Sequence, residues 1–199
     1  MSFLDKLIAA VTPLESDEAR MQARQDARVK ALVGGWLAAV LDQHEAIEQA
    51  FEQVRSSTDP TARQAATRNL AALLSAHSNA EEAVLYPEMA DTGHKSHASM
   101  AYEEQAMTKV QLALLEKIPP MSQDYLDKLE HIRGAVTHHM YQEESDWFIE
   151  LQAEIGDDHQ SHLAKRFNEE VERYLGTSQP SSGAFALSDT VRGAQVTTG

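Results

Sequence analysis

Two short stretches of the chain carry residue types from which a metal site is built. His77-Ser78-Asn79-Ala80-Glu81-Glu82 and His139-Met140-Tyr141-Gln142-Glu143-Glu144 are two copies of His-x-x-x-Glu-Glu. In a helix, residues four apart stand one turn above the other on the same face. His77 with Glu81, and His139 with Glu143, can therefore each present an imidazole nitrogen and a carboxylate oxygen together. Glutamate is also long enough to span two ions. Mixed nitrogen and oxygen donors suit iron, manganese or zinc better than calcium or magnesium. Buried inside a protein, such groups are costly unless a cation balances them. About 0.1 copies of the six-residue pattern are expected by chance, so two are a signal. A third histidine, His44, has the same four-residue relation to Glu48.

The elements that must position these residues are helical. A buried stripe of Trp36, Val40, Ile47, Phe51 and Val54 predicts a helix over 29–55. Asp59-Pro60 is a cap followed by proline, and predicts a second helix over 60–88. Asp91-Thr92-Gly93 separates it from a third over 94–117, which Pro119-Pro120 terminates. A fourth is predicted over 122–153, then a shorter one to 175. Turns this short cannot carry the chain back along a helix ~36–48 Å long, so neighbours must be antiparallel. The expected fold is all-α: an up-down-up-down four-helix bundle with short flanking helices. The domain reading is an N-terminal helical arm over 1–27, the bundle and short helix over 28–175, and a Ser/Thr/Gly/Pro-rich flexible tail over 176–199.

The two halves repeat. His44 precedes His77 by 33 residues, and Gln105 precedes His139 by 34. Leu85-Tyr86 and Trp147-Phe148 follow the two motifs at the same offset. A pseudo-twofold bundle would bring both sets of polar residues to one level.

Composition narrows the function. The net charge of −14 opposes a phosphate backbone, so nucleic acid is not an expected partner. No apolar run of membrane-spanning length occurs, and no membrane is expected. The start lacks the pattern of a signal peptide, which makes the cytoplasm the expected location. Cysteine is absent, excluding disulfides and thiolate sites.

Leu41-Asp42-Gln43-His44-Glu45-Ala46-Ile47 and the two His-x-x-x-Glu-Glu stretches resemble the hemerythrin-like, or HHE cation-binding, family over about residues 30–153. The resemblance implies a non-haem di-iron centre with an oxo or hydroxo bridge and two bridging carboxylates. By that resemblance His44, His77, Glu81, His139 and Glu143 are metal ligands. The family usually has a histidine on the third helix, where this chain reads Tyr102-Glu103-Glu104-Gln105. Gln105 occupies that place, and glutamine is a poor iron ligand. Glu104 is the favoured substitute, with His97, seven residues earlier, as the alternative. A carboxylate there would make the site harder, closer to ferritin-like centres.

Glu82 and Glu144 are expected to accept hydrogen bonds from ligand histidines. Tyr102, Tyr141 and Trp147 are candidates to surround the site, and His131 to line the bundle. His138 is expected to point about 100° away from His139, and His94, His159 and His162 outward.

Two functions follow. One is a protein that binds or senses O2, NO or peroxide, or buffers iron. The other is a di-iron enzyme that consumes peroxide in a catalase-like way or reduces NO. A third, blander possibility is a helical bundle holding zinc or nothing. Oligomeric state is not fixed by the sequence.

Overall fold

The computed structural model describes residues 15–178, and the expectations for the first residues and for the tail beyond 178 lie outside them. Helix α1 spans Asp17–Lys30. Ser16 caps it by accepting from the Ala19 N–H at 3.2 Å, with Asp17 and Glu18 in its first turn and Arg28 and Lys30 in its last. Both placements favour the helix dipole.

The helix predicted from residue 29 begins only at Trp36: α2 is Trp36–Ser56. Gly34, at φ +72°, takes a left-handed conformation open to glycine, and the Gly34-Gly35 pair divides α1 from α2. Helix α3, Pro60–Ala80, starts where predicted: Asp59 accepts from the Ala62 N–H at 2.9 Å and Pro60 fills the first turn. A π turn at Glu81–Leu85 follows, then α4, Tyr86–Asp91. Helix α5 is Lys95–Leu115. Helix α6, Gln123–Gln142, is capped by Ser122 and runs into a second π turn, Glu143–Trp147, then α7, Phe148–Glu154.

Helix α8, Asp157–Ser178, follows the Gly156 break as expected and runs three residues past the predicted end at 175. Its stripe of Leu163, Ala164, Phe167 and Val171 gives it a continuous apolar face. Trp36 also ties it to α2, donating from its ring nitrogen to Gln160 at 2.9 Å.

The bundle has four arms. Helix α2 packs against α3 and α6, and α5 packs against α6 and α3. Helix α8 lies against α2, α3 and the first π turn, and α1 against α2, α6 and the second. Among the described residues no helix is long and apolar enough to cross a membrane.

The core is split in two. Trp36, Leu37, Leu41, Tyr86, Met89, Phe148 and Phe167 belong to one apolar cluster. Ile47, Phe51, Leu70, Leu115, Leu129 and Met140 belong to another. On α2 the buried run Leu41, His44, Ile47 steps from the first cluster to the second through a histidine. The polar layer lies at that step.

Candidate metal centre

Each arm sends a buried polar residue into this layer. Helix α2 supplies His44, α3 His77, α5 Gln105 and α6 His139, while the π turns begin on Glu81 and Glu143. In each π turn the amide five residues on, that of Tyr86 or Phe148, donates back to the carbonyl of the glutamate. The wider turn changes which residues share a face, and such turns are frequent at functional sites.

The histidines follow one plan. Outward, His44 Nδ1 meets Glu144 Oε1 at 2.7 Å, His77 Nδ1 meets Gln43 Oε1 at 3.0 Å, and His139 Nδ1 meets Glu104 Oε2 at 2.7 Å. Inward, His44 Nε2 is 3.4 Å from Glu143 Oε2, His77 Nε2 is 3.3 Å from Glu81 Oε1, and His139 Nε2 is 3.2 Å from Glu143 Oε1. Fixing one ring nitrogen so that the other is aimed is how proteins orient metal-binding histidines.

Four inward atoms, His44 Nε2, His77 Nε2, Glu81 Oε1 and Glu143 Oε2, are buried without a hydrogen-bond partner. Buried polar atoms are normally satisfied. Ligand atoms of these four residues lie within 4.8 Å of one another, close enough to hold one metal ion. The donor set therefore fits a nitrogen- and oxygen-binding transition metal.

The remaining oxygens face a second pole. Tyr86 Oη lies 3.1 Å from Glu81 Oε2, 3.0 Å from Glu143 Oε1 and 3.1 Å from His139 Nε2. Gln105 Nε2 donates to Glu81 Oε2 at 2.6 Å and also to Tyr86 Oη. Each glutamate thus offers one oxygen to the His44–His77 pole and the other to the His139–Tyr86 pole.

The electrostatics are those of a site short of positive charge. Burial, reinforced by the charge on Glu143, pushes the Glu81 carboxyl up to about 8. Burial alone would also raise Glu143, but His139 and His44 hold it well below the usual carboxylate range. Burial opposes the charged form of His44, yet Glu143 and Glu144 lift it to about 9. His139 is raised in the same way against its burial, by Glu143 and Glu104. His77 is driven down by burial and by the charge on His44.

A cavity of ≈ 30 Å³ opens beside the layer. Leu74, Leu112, Val136 and Met140 contribute apolar walls, and His77, Gln105 and His139 also line it. That is room for a water or a diatomic molecule, not for an organic substrate.

Five of the six residues expected to bind metal are brought together: His44, His77, Glu81, His139 and Glu143. Glu104 is not. It stays one-third exposed and accepts from the outer face of His139. The reason is helical phase. Ala98, Ala101, Leu112 and Leu115 define the buried face of α5, and position 105 lies on it, while 104 is turned about 100° away. The carboxylate-rich, ferritin-like reading of α5 falls with it. His97 also points elsewhere, stacked on Trp147 with ring centroids 5.4 Å apart.

Glu144 accepts from His44 as expected, but Glu82 faces Lys109 at 2.7 Å instead. His138 pairs with Glu15 at 2.9 Å, outside the layer. His94, expected to point outward, is only partly exposed and pairs with Glu150 and Glu154.

Sequence reasoning missed Tyr86 and Arg24. Tyr86 stands five residues after Glu81, a spacing that faces inward only with a π turn. Arg24 donates to Glu144 at 2.8 Å and to both oxygens of Glu48, tying α1 to the back of His44. Burial disfavours its charge, but Glu48 and Glu144 more than offset that.

Known proteins resemble this chain in sequence and in fold. A protein of Nostoc sp. (strain PCC 7120 / SAG 25.82 / UTEX 2576) named DNA nickase is 25% identical over 143 residues, covering 70% of this chain. The chain spans only 41% of that relative's length. A crystal structure of a hemerythrin HHE cation binding domain-containing protein from Mycobacterium kansasii superposes with a TM-score of 0.64 at 19% identity, covering 73% of this chain and 90% of that one. That likeness is one of fold. The hemerythrin HHE cation binding domain profile matches residues 37–151, over half of the sequence and the whole of the His/Glu layer. The chain belongs to the hemerythrin HHE cation binding domain family.

Proposed function

We propose that the chain is a non-haem di-iron protein that binds or senses O2, NO or peroxide, or buffers iron, in the cytoplasm. The observation that carries this reading is the set of four unpartnered buried donor atoms beside a cavity sized for a diatomic ligand. In this reading His44, His77 and His139, together with Glu81 and Glu143, would hold the two ions. Glu104, Gln43 and Glu144 aim the three rings.

Tyr86 and Gln105 stand at the His139 pole. Gln105 can offer its amide hydrogen to a bound ligand or, turned over, its unpartnered carbonyl oxygen. Bound iron would supply an open coordination position and one-electron chemistry. The protein supplies the apolar approach, the exclusion of larger molecules and the hydroxyl proton of Tyr86.

That hydroxyl favours the second reading, an enzyme that consumes peroxide or reduces NO, because NO reduction takes up protons and peroxide disproportionation must move them between oxygens. The name of the Nostoc relative is not carried over. The matched residues cover only 41% of that protein, and the charge of −14 opposes a phosphate backbone.

The test is absorption of the iron-loaded protein on addition of O2, NO or peroxide. A reversible change in the near-ultraviolet bands supports binding. Sustained consumption of peroxide or NO moves the reading to an enzyme. No spectral response to any of them overturns both.

A further inference from the structure

Outside the buried layer, a second group of metal-type donors converges where α5 begins against α7. His94 immediately precedes α5 and His97 lies in its first turn, so the two share a face at i, i+3. Glu150 and Glu154 share a face of α7 at i, i+4. His94 Nδ1 lies 3.3 Å from Glu150 Oε2, and His94 Nε2 3.0 Å from Glu154 Oε2. Ligand atoms of His94, His97 and Glu150 all fall within 4.8 Å of one another.

Surface ion pairs between His94 and the two glutamates would explain part of this arrangement. They do not explain His97. Its ring is parallel to that of His94, 5.7 Å away at 19°, and its Nδ1 is buried with no hydrogen-bond partner. A buried, unpartnered imidazole nitrogen beside a second imidazole and a carboxylate is a donor set in want of an ion.

We propose that His94, His97 and Glu150, with Glu154 beside them, form an outer site for a divalent transition metal ion. It is independent of the buried pair. Two imidazoles with carboxylate oxygens select Zn2+, Fe2+ or Co2+ over Ca2+ and Mg2+. The site is shallow: His94 is 21% exposed and Glu150 45%, so solvent completes the coordination and the ion exchanges freely. Trp147 lies parallel to His97 at 5.4 Å and edge-on to His139 at 6.0 Å. An ion here therefore sits one aromatic ring outside the buried layer.

The test is titration of the full-length protein with Co2+, comparing the parent with a His94→Asn, His97→Asn double variant. The parent should bind one ion more than the variant, and that ion should quench tryptophan fluorescence. Trp147→Phe should abolish the quench but keep the stoichiometry. Should the double variant fail to fold, Glu150→Gln with Glu154→Gln replaces it, and should weaken the extra ion at least tenfold. Equal stoichiometry in parent and folded histidine variant, unchanged affinity for the extra ion in the glutamine variant, or extra binding that leaves Trp147 emission unchanged, overturns the site.

Discussion

The α2–α3 half and the α5–α6 half of the bundle use the same backbone device to different chemical ends. Both carry His-x-x-x-Glu on a helix that widens into a π turn at the glutamate. Five residues beyond Glu81 the chain places Tyr86, whose hydroxyl enters the layer. Five residues beyond Glu143 it places Phe148, which packs edge-on against Trp36 at 5.4 Å. The partner helix gives His44 in one half and Gln105 in the other. One pole thus gathers two imidazoles, and the other gathers one imidazole, a phenol and an amide. The repeat fixes where donors stand, and the departures from it make the two poles of the layer unlike. The cavity is lined by His77 from one half and by His139 and Gln105 from the other.

The largest effect should come from the glutamates, and it should differ between them. Glu143→Ala removes the carboxylate that His44 and His139 share and, with it, the main support for their charge against burial. It should abolish metal retention and cost the metal-free fold about 3–5 kcal/mol. Glu81→Ala should abolish metal retention equally but cost less stability near neutral pH, because Glu81 holds its proton up to about 8. Elemental analysis and urea denaturation of both variants read the difference. Equal stability losses would mean that the halves carry charge alike.

Exchanging the residues after the π turns comes next. Tyr86→Phe keeps the ring but removes a hydroxyl that contacts both Glu81 and Glu143. It should weaken the ion at the His139 pole and shift the absorption bands, leaving the ion at the His44–His77 pole in place. Phe148→Tyr should instead destabilise the fold by about 1–3 kcal/mol, since a hydroxyl buried there without a partner goes unsatisfied. If both swaps act through stability alone, Tyr86 has no place in the centre.

The residues behind the histidines should show a graded response. Glu144→Gln should lower metal affinity by roughly 10- to 100-fold, as loss of such supporting groups commonly does. Glu104→Gln should act in the same direction but less, since Glu104 is one-third exposed and Glu144 is buried and held by Arg24. Competition with a chelator measures both.

The smallest effect is on pH dependence. His44 is raised from its ordinary 6.5 to about 9, and Glu81 from 4.5 to about 8. Groups with raised folded values stabilise fully below their unfolded values and lose that contribution as pH climbs through the folded ones. His77 and Glu143 are lowered, so their protonation does not change in this range. Between pH 6.5 and 9 the metal-free protein should therefore lose thermal stability. Metal must displace the same protons, so affinity should rise over that range and the gap in Tm between loaded and metal-free protein should widen.

Much of this was legible in the sequence, because helical period and spacing decide it. The stripe on α2, the cap at Asp59-Pro60 and the breaks at Asp91-Thr92-Gly93 and Pro119-Pro120 pointed to the bundle, and the four-residue spacing gave His77 with Glu81 and His139 with Glu143. What escaped has physical causes. Nothing in a helical period announces a π turn, so no spacing put Tyr86 in the layer. Adjacent positions differ by a third of a turn, so choosing Glu104 over Gln105 required the phase of α5. Arg24 reaches the layer across 120 positions of sequence to Glu144, a contact that no local pattern encodes.

The central claim is that Glu81 and Glu143 each serve two unlike metal positions. Its most direct measurement is the iron content and Mössbauer spectrum of the full-length protein, with His94→Asn and His97→Asn in place so that only the buried layer is counted. The account predicts two iron atoms per chain in two distinguishable environments, with one environment altered in Tyr86→Phe. A single iron atom per chain, none, or two equivalent atoms indifferent to Tyr86 would contradict it.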